Sequence, residues 1–556
     1  MFSQQIDILA VLPTVRQLLQ TYQRPQEWLS GVEQETRHFI VRVPFVGAFS
    51  SGKSTLLNAV IGESLLSTNI DPQTSIPTEL AYGSPERLTA HQADGTSRVL
   101  QRADLLEQQA GDAPLGAWLD LRLPCDALAK VPHLKLVDMP GWDSGNSQHG
   151  HAIDGYVSRS LAYCIVVSAD EGSLHESVRA ALSELQLHGM PVIAIISKSD
   201  KKTPDDVQDI ARQVAAEIEK ISGQAAMRVL TVSARRLELG DFGAALQELD
   251  RLAAPLFVQS VAKPFAAQLH PFAQYLDILV NGDNLDSEKI ALERARIAEE
   301  IEQFETRLEE ETRQLDASLP KVLDAILKHV QNNLKEQLDA LTASALSGRD
   351  LRAQIDLAIR LGITAGVQAE FDTAMRRYFD RVGEFAPPDL GLDLRLPDSG
   401  TTPTDADSGI NVAMMQAVAN EAINIIAKKY PVAMVLKPLL LGLLELLHRV
   451  FANRGKAEVA EAERHEQLRR HLLNQVFPQI EHAARAALQT ALHAHIQQAR
   501  DGITAASQQQ LALRQAALSK LDAQLAQGEA AFQAMRQQYI VDRDKVQAII
   551  QAWNQA

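Results

Sequence analysis

Apolar residues fall in short dense runs over the first half of the chain and in helix-period seams over the second. Between Phe39 and about Ser233 the runs FIVRVPFV, LKLVDMPG, AYCIVVSAD, PVIAIISKSD and RVLTVSAR are rich in β-branched residues and spaced by helix-length stretches. That alternation predicts a mainly parallel sheet covered by helices. Runs such as AYCIVVS, apolar at nearly every position, suit strands buried on both faces. Ahead of them, Ile6, Leu9, Val15, Leu18 and Leu19 mark an amphipathic helix that we expect to be interrupted near Pro13.

After Pro255, Pro264 and Pro271 the strand signal disappears. Ile297, Ile301, Phe304, Leu308 and Leu315 alternate steps of four and three, with Glu311 breaking the seam, and predict a helix ending near Pro320. Leu511, Leu518, Leu521, Leu525, Phe532, Met535, Tyr539 and Val546 form one stripe near the C-terminus. These seams fit an elongated antiparallel helix bundle, with separate coiled-coil dimerisation as the open alternative. Between them, residues 386–410 are dominated by Pro, Gly, Asp, Ser and Thr and read as a loop. Residues 411–453 then form a dense apolar stretch, two apolar helices joined by the basic turn KKYP, placed where the tip of a hairpin would be. The expected organisation is an N-terminal helix over 1–37, an α/β domain over 38–255, a helical arm over 256–385, the loop, the apolar hairpin, and a returning arm over 454–556.

A chain of 556 residues exceeds what one core usually supports, so two or more domains are expected. The formal net charge of -16 argues against non-specific nucleic-acid binding, and no RNA-binding module is recognisable, so no nucleic-acid partner is expected. Cys125 and Cys164 have no disulfide-framework or metal-ligand spacing and read as core residues in a reducing compartment. The N-terminus has no basic-then-apolar leader pattern, so we expect a cytoplasmic protein.

The chemistry starts at GAFSSGKST, Gly47 to Thr55, set between a strand-like and a helix-like run. This is G-x-x-x-x-G-K-[ST], the phosphate-binding P-loop, in its required strand-then-helix setting. Backbone N–H groups of Gly47, Ser50, Ser51, Gly52 and Thr55, with the helix N-terminus, would close around phosphate oxygens. Lys53 would reach the β and γ phosphates, and Ser54 would hold Mg²⁺. Downstream, Asp138-Met139-Pro140-Gly141 is a D-x-x-G at a strand end. Asp138 there would hold Mg²⁺ through water, and the Gly141 N–H would sense a γ phosphate.

Ser197-Lys198-Ser199-Asp200 matches [NTS]-K-x-D after the strand VIAII. The Asp200 carboxylate can accept both N1–H and N2–H of guanine, a donor pair that adenine lacks, while the Lys198 stem lies along the base. Ser233-Ala234-Arg235 ends RVLTV, where a backbone N–H would meet the guanine O6. Four elements in order, each at a strand end, indicate a guanine-nucleotide domain.

On GAFSSGKSTLLNAVIG, DPQTSIPTELAYG, DMPGW, SKSD and SAR the sequence resembles the dynamin-like large GTPases, especially the bacterial dynamin-like proteins, with the LeoA type as the suggested subgroup. These motifs cover residues 45–235, and the helical remainder matches in layout. The resemblance implies a P-loop GTPase domain with a helical neck and trunk. In it the N-terminal helix, the segment near 255–275 and the C-terminal helix pack together. It also implies a Mg²⁺-binding switch threonine in a P-x-T segment some eight residues before Tyr-Gly, which points to Thr74, with Thr78 as the reserve. Small Ras-type enzymes place a glutamine directly after D-x-x-G, whereas Trp142 stands here. Dynamins instead rely on P-loop and switch groups aided by dimerisation across the nucleotide, which makes Ser50, Lys53 and Thr74 the catalytic candidates. Ser50 corresponds to the serine that helps bind a monovalent cation, K⁺ or Na⁺. The neighbouring glutamine of dynamins is replaced by Phe49, which puts the cation step and the rate in doubt.

In the apolar stretch, Lys428, Lys429, Lys437 and Arg449 outnumber Glu421 and Glu445. Lys428, Lys429 and Tyr430 then form either a contact with an anionic membrane surface or the solvated turn of a packed hairpin. The resemblance favours the membrane. It implies a GTPase that self-associates, contacts membrane peripherally and works alone or with a partner GTPase. The alternative is a nucleotide-switched interaction protein with little hydrolysis and no membrane contact.

Overall fold

The computed structural model describes residues 1–68, 76–92, 94–106, 117–140, 160–172, 190–222, 225–281, 287–346, 351–386, 461–527 and 529–555. Its strands are β1 (Val41–Val46), β2 (Thr78–Tyr82), β3 (Arg87–His91), β4 (Ser97–Leu100), β5 (Trp118–Leu123), β6 (Leu134–Asp138), β7 (Tyr163–Ser168), β8 (Val192–Ser197) and β9 (Arg228–Thr231). They form one sheet in the order β4-β3-β5-β2-β6-β1-β7-β8-β9. The half from β6 to β9 is wholly parallel and consists of the five apolar runs. β2 pairs antiparallel with β6 and parallel with β5, and β3 is antiparallel to both β5 and β4. These four strands have no counterpart among the expected runs, because charged residues such as Glu79, Asp120 and Arg122 interrupt their apolar pattern.

Both faces of the sheet are covered, as a parallel sheet requires. One face packs Val43, Phe45, Leu136, Cys164 and Ile195 against Leu56 and Leu57 of α3 (Lys53–Ile61) and Phe242 and Leu246 of a later helix, α6 (Phe242–Arg251). The short α4 (Asp126–Ala129) lies between β5 and β6. The other face packs Val46, Val137, Ile165 and Ile196 against Val207, Val214 and Ile218 of α5 (Pro204–Ser222).

α1 (Ser3–Thr21) is followed by α2 (Trp28–His38). α1 runs unbroken through Pro13, contrary to expectation. Pro13 is exposed, so the backbone bond it removes falls on the solvent side, while Ile8, Leu12, Val15 and Leu19 keep the buried seam. Ile6, expected in that seam, is exposed. α7 (Ala253–Phe257) and α8 (Lys263–Val280) lead out of the sheet domain through a π turn at Val258–Ala262.

α9 (Ser287–Glu336) is likewise continuous through Pro320, again an exposed proline, and Leu323, Ile326, Val330 and Leu334 extend the seam past it. α10 (Leu338–Leu346) follows, and α11 (Arg352–Gly366) returns through a π turn at Val367–Phe371 into α12 (Asp372–Phe385). α13 (Glu461–His471) passes through another π turn into α14 (Phe477–Leu525), and α15 (Glu529–Asn554) closes the described chain. The C-terminal stripe is therefore split between α14 and α15 by a turn at 526–527, and Met535 is exposed.

α9 and α14 lie antiparallel, since Gln331 meets Glu481, Asp324 meets Arg485, and Asp316 meets Gln497. One continuous apolar core runs from α1 through α8 and along α9, α11, α12, α14 and α15. The stretch 411–453 lies outside the described residues. On the described chain before it Phe385 packs on Phe304 at 5.7 Å, and on the described chain after it Glu481 bonds Gln331. At the helical rise those levels on α9 are roughly 40 Å apart.

Candidate functional site

The P-loop turns between β1 and α3. At Gly47 a Cβ would lie 2.2 Å from the Val166 carbonyl oxygen of β7 and 2.8 Å from Ser51 Oγ, so only glycine fits. A tight turn at Phe49–Ser51, closed by the Ser51 N–H on the Ala48 carbonyl at 3.1 Å, delivers the chain to Gly52 at φ +91°. This left-handed glycine is the N-cap of α3, and Lys53 follows as its first helical residue. Lys53 is buried, and its Nζ donates to the Gly47 and Ala48 carbonyls at 3.1 and 2.8 Å. Ser51 is buried with no hydrogen bond to its Oγ among the described residues, whereas Ser50 and Thr55 are exposed.

The Ser54 hydroxyl lies 2.9 and 3.1 Å from the two Asp138 carboxylate oxygens. Asp138 is fully buried, and burial pushes its carboxyl up to about 6 against the opposing pull of Ser54 and Lys53. A hydroxyl and a buried carboxylate with little compensating charge are hard oxygen donors that suit Mg²⁺. A divalent cation there would bring the Asp138 pKa back down. Thr78 opens β2 directly opposite Asp138 and is buried. Thr74, Gly141 and Trp142 lie outside the described residues, as do Lys428, Lys429 and Tyr430.

At the other end of the site β8 runs into Lys198, at φ +54°, and the following turn carries Asp200. The Ser233 hydroxyl donates to Asp200 at 2.7 Å, and this bond, more than any other contact, holds Asp200 below the usual carboxylate range. Ser233 exchanges backbone bonds with Glu238 at 2.9 and 3.0 Å, and Ala234 opens the next turn, which packs against α3. The Lys198 ammonium lies 3.9 Å from Asp170, which also pairs with Lys201. Phosphate loop and base loop are thus bolted together.

One bolt was missed from sequence. Ser197 Oγ sits 2.5 Å from the Ser51 carbonyl and 3.2 Å from that of Val167, joining β7, β8 and the P-loop. Its only sequence signal is its place at the head of SKSD.

Residues 43–199 match the model of the dynamin family. A bacterial dynamin-like protein of Nostoc punctiforme is 26% identical over 208 residues, 34% of this chain and 30% of that protein. Dynamin-like protein 2 of Campylobacter jejuni is 25% identical over 174 residues, 31% of this chain and 28% of its own. The match thus spans about a third of each of these relatives. A solved structure of an oligomerised bacterial dynamin pair aligns over 96% of this chain and 94% of its own, at 15% identity and a TM-score of 0.34.

Proposed function

We propose that the chain, whose residues 43–199 match the model of the dynamin family, binds GTP with Mg²⁺ and hydrolyses it to GDP and phosphate. It couples turnover to self-association through its helical arms and to contact with an anionic membrane surface. The observation that carries this reading is the Ser54–Asp138 contact. It brings the P-loop helix and a strand-end carboxylate 84 positions away into one oxygen-donor pair.

In this reading Lys53 and the backbone N–H groups of Gly47 to Thr55 grip the β and γ phosphates. Ser54, Asp138 and Thr74 hold the metal. Mg²⁺ supplies charge neutralisation on the phosphates. Gly141 presents its N–H to the γ phosphate, and Ser50 contributes to a monovalent-cation site. Asp200 accepts the two guanine donors, the Lys198 stem covers the base, and the Ser233-Ala234 backbone meets O6.

Among the described residues no helix is long and apolar enough to cross a membrane. Membrane contact is assigned to Lys428, Lys429 and Tyr430, the basic, aromatic turn of the apolar stretch 411–453. A second copy, or a partner GTPase, is the assigned partner.

GTP turnover at several protein concentrations, with and without anionic liposomes and with Lys53→Ala as the blank, tests the proposal. A specific rate that climbs with protein or lipid supports it. A flat rate near the blank with guanine nucleotide still bound replaces it with a nucleotide-switched interaction protein. Unchanged liposome sedimentation after Lys428→Glu with Lys429→Glu removes the tip.

A further inference from the structure

The sheet holds a buried row of charge next to the nucleotide site that takes no direct part in binding. Glu79, the second residue of β2, is fully buried. Its Oε1 accepts from Arg42 Nε at 2.8 Å and its Oε2 from Lys135 Nζ at 2.5 Å. Lys135, also buried, reaches on to Asp120 Oδ1 at 3.0 Å, and Arg122 stands 3.5 Å from the other oxygen of Asp120. The row crosses β5, β2, β6 and β1, four neighbouring strands.

Taking charges out of water costs more than their attraction usually returns, so such a row is poorly explained by stability alone. Specifying register is the better-attested use of buried ion pairs. Here the strands concerned carry the site. β1 runs into the P-loop, β6 ends at Asp138, and β2 follows the segment with Thr74 and begins at Thr78.

β2 meets β6 through only three paired positions, Thr78 with Asp138, Glu79 with Val137, and Leu80 with Leu136. A slip by one residue would turn Glu79 to the opposite face, among Leu136 and Phe45. A slip by two toward Met139 would keep the face but carry the carboxylate away from Lys135 and Arg42. The apolar pattern of TELAY is too short to forbid the slip toward Met139, whereas the ion pairs oppose it along with the one-residue slip.

We infer that Glu79, clamped by Lys135 and Arg42, is a positioning residue for hydrolysis. It fixes the register of β2 on β6 and so holds Thr78 opposite Asp138, beside the metal-binding position. The inference rests on the GTPase reading above.

The test uses the full chain with Glu79→Gln, Lys135→Met, the milder Arg42→Met, and Lys135→Arg as the charge-conserving control. Turnover is titrated with GTP and with Mg²⁺, and GDP affinity and thermal midpoint are measured alongside. Misplacing Thr78 relative to Asp138 predicts that kcat falls about 10-fold or more in Glu79→Gln. The Mg²⁺ concentration for half-maximal turnover rises about 3-fold or more, GDP affinity stays within about 2-fold, and Lys135→Arg recovers most of the loss. Arg42→Met shifts the same quantities less, and keeps the test alive if the stronger variants do not fold.

Unchanged kcat and Mg²⁺ dependence in the folded variants, whatever their thermal midpoints, overturns the inference. So does a parallel loss of GDP affinity and kcat, which marks general damage. If the unsubstituted chain shows no Mg²⁺-dependent GTP turnover, the functional reading fails first and this inference with it.

Discussion

The Tyr22 hydroxyl donates a 3.0 Å hydrogen bond to the Asp542 carboxylate, joining the end of α1 to α15 across 520 positions. Asp542 is buried, and Lys520 places its ammonium 4.5 Å over the Tyr22 ring. Burial and the Asp542 charge keep the phenol protonated far above its usual range, so Tyr22 remains a donor at every ordinary pH. Tyr22→Phe leaves the aromatic packing with Phe272, Tyr275 and Tyr539 but strips a donor from a buried carboxylate. We expect a loss of about 1–2 kcal/mol, seen as a lower thermal midpoint with faster hydrogen exchange in α15.

Asp138 makes the stability of the metal-free protein depend on pH, with mild acid the stabilising side. Its folded pKa of about 6 lies above the ordinary 3.8, so between those values the folded state holds a proton that the unfolded chain has released. The stabilising contribution is therefore complete below about 4 and is lost as pH rises through 6, on the order of 3 kcal/mol. Mg²⁺ must displace that proton, so metal affinity should weaken as pH falls from 7 to 5. Calorimetric Mg²⁺ titrations with GDP at several pH values check this. In Asp138→Asn the metal-free protein should be more stable at pH 7, and the Mg²⁺ response should vanish.

The approach of α11 to α9 depends on two glycines. A Cβ at Gly362 would lie 2.5 Å from the Val330 Cα, and one at Gly366 would lie 2.8 Å from the Ile326 Cα. Both obstacles are backbone, which cannot swing aside. Gly362→Ala should therefore lower stability by about 1–3 kcal/mol even though alanine is the better helix former. Gly243→Ala in α6, where nothing lies within 4 Å of the new methyl, should raise it by about 0.5 kcal/mol. Chemical denaturation of the two variants decides the contrast.

Base choice should follow Asp200. Asp200→Asn replaces one acceptor of the guanine donor pair with an amide NH₂, and GDP affinity should fall about 100-fold. A xanthine nucleotide, which carries a carbonyl where guanine has its 2-amino group, should bind the variant better than the parent. Fluorescent-nucleotide competition with both bases measures the exchange.

The nucleotide site was legible wherever a residue type is dictated locally. Gly47 and Gly52 answer to a carbonyl in contact and to a positive φ, and Lys53 to the carbonyls of its own loop, so these positions announce themselves in a short string. The parallel half of the sheet was legible for a similar reason, since strands such as β7 are buried throughout. β2 and β5 were hidden because Glu79 and Asp120 break the apolar pattern, and their partners Lys135 and Arg42 lie on other strands far along the chain. Pro13 and Pro320 misled because a proline's cost depends on which way the orphaned carbonyl faces, a fact of tertiary packing.

α9 contains 50 residues and α14 contains 49. At the helical rise each is about 75 Å long. Paired side by side by Gln331 with Glu481, Asp324 with Arg485 and Asp316 with Gln497, they form a stiff beam with its near end at α8 and Tyr22. A tilt of about 10° at that end would sweep the far end through about 13 Å, more than two helical turns. A small rotation at the end packed around Tyr22 thus corresponds, at the other end of the beam, to a stroke of molecular dimensions.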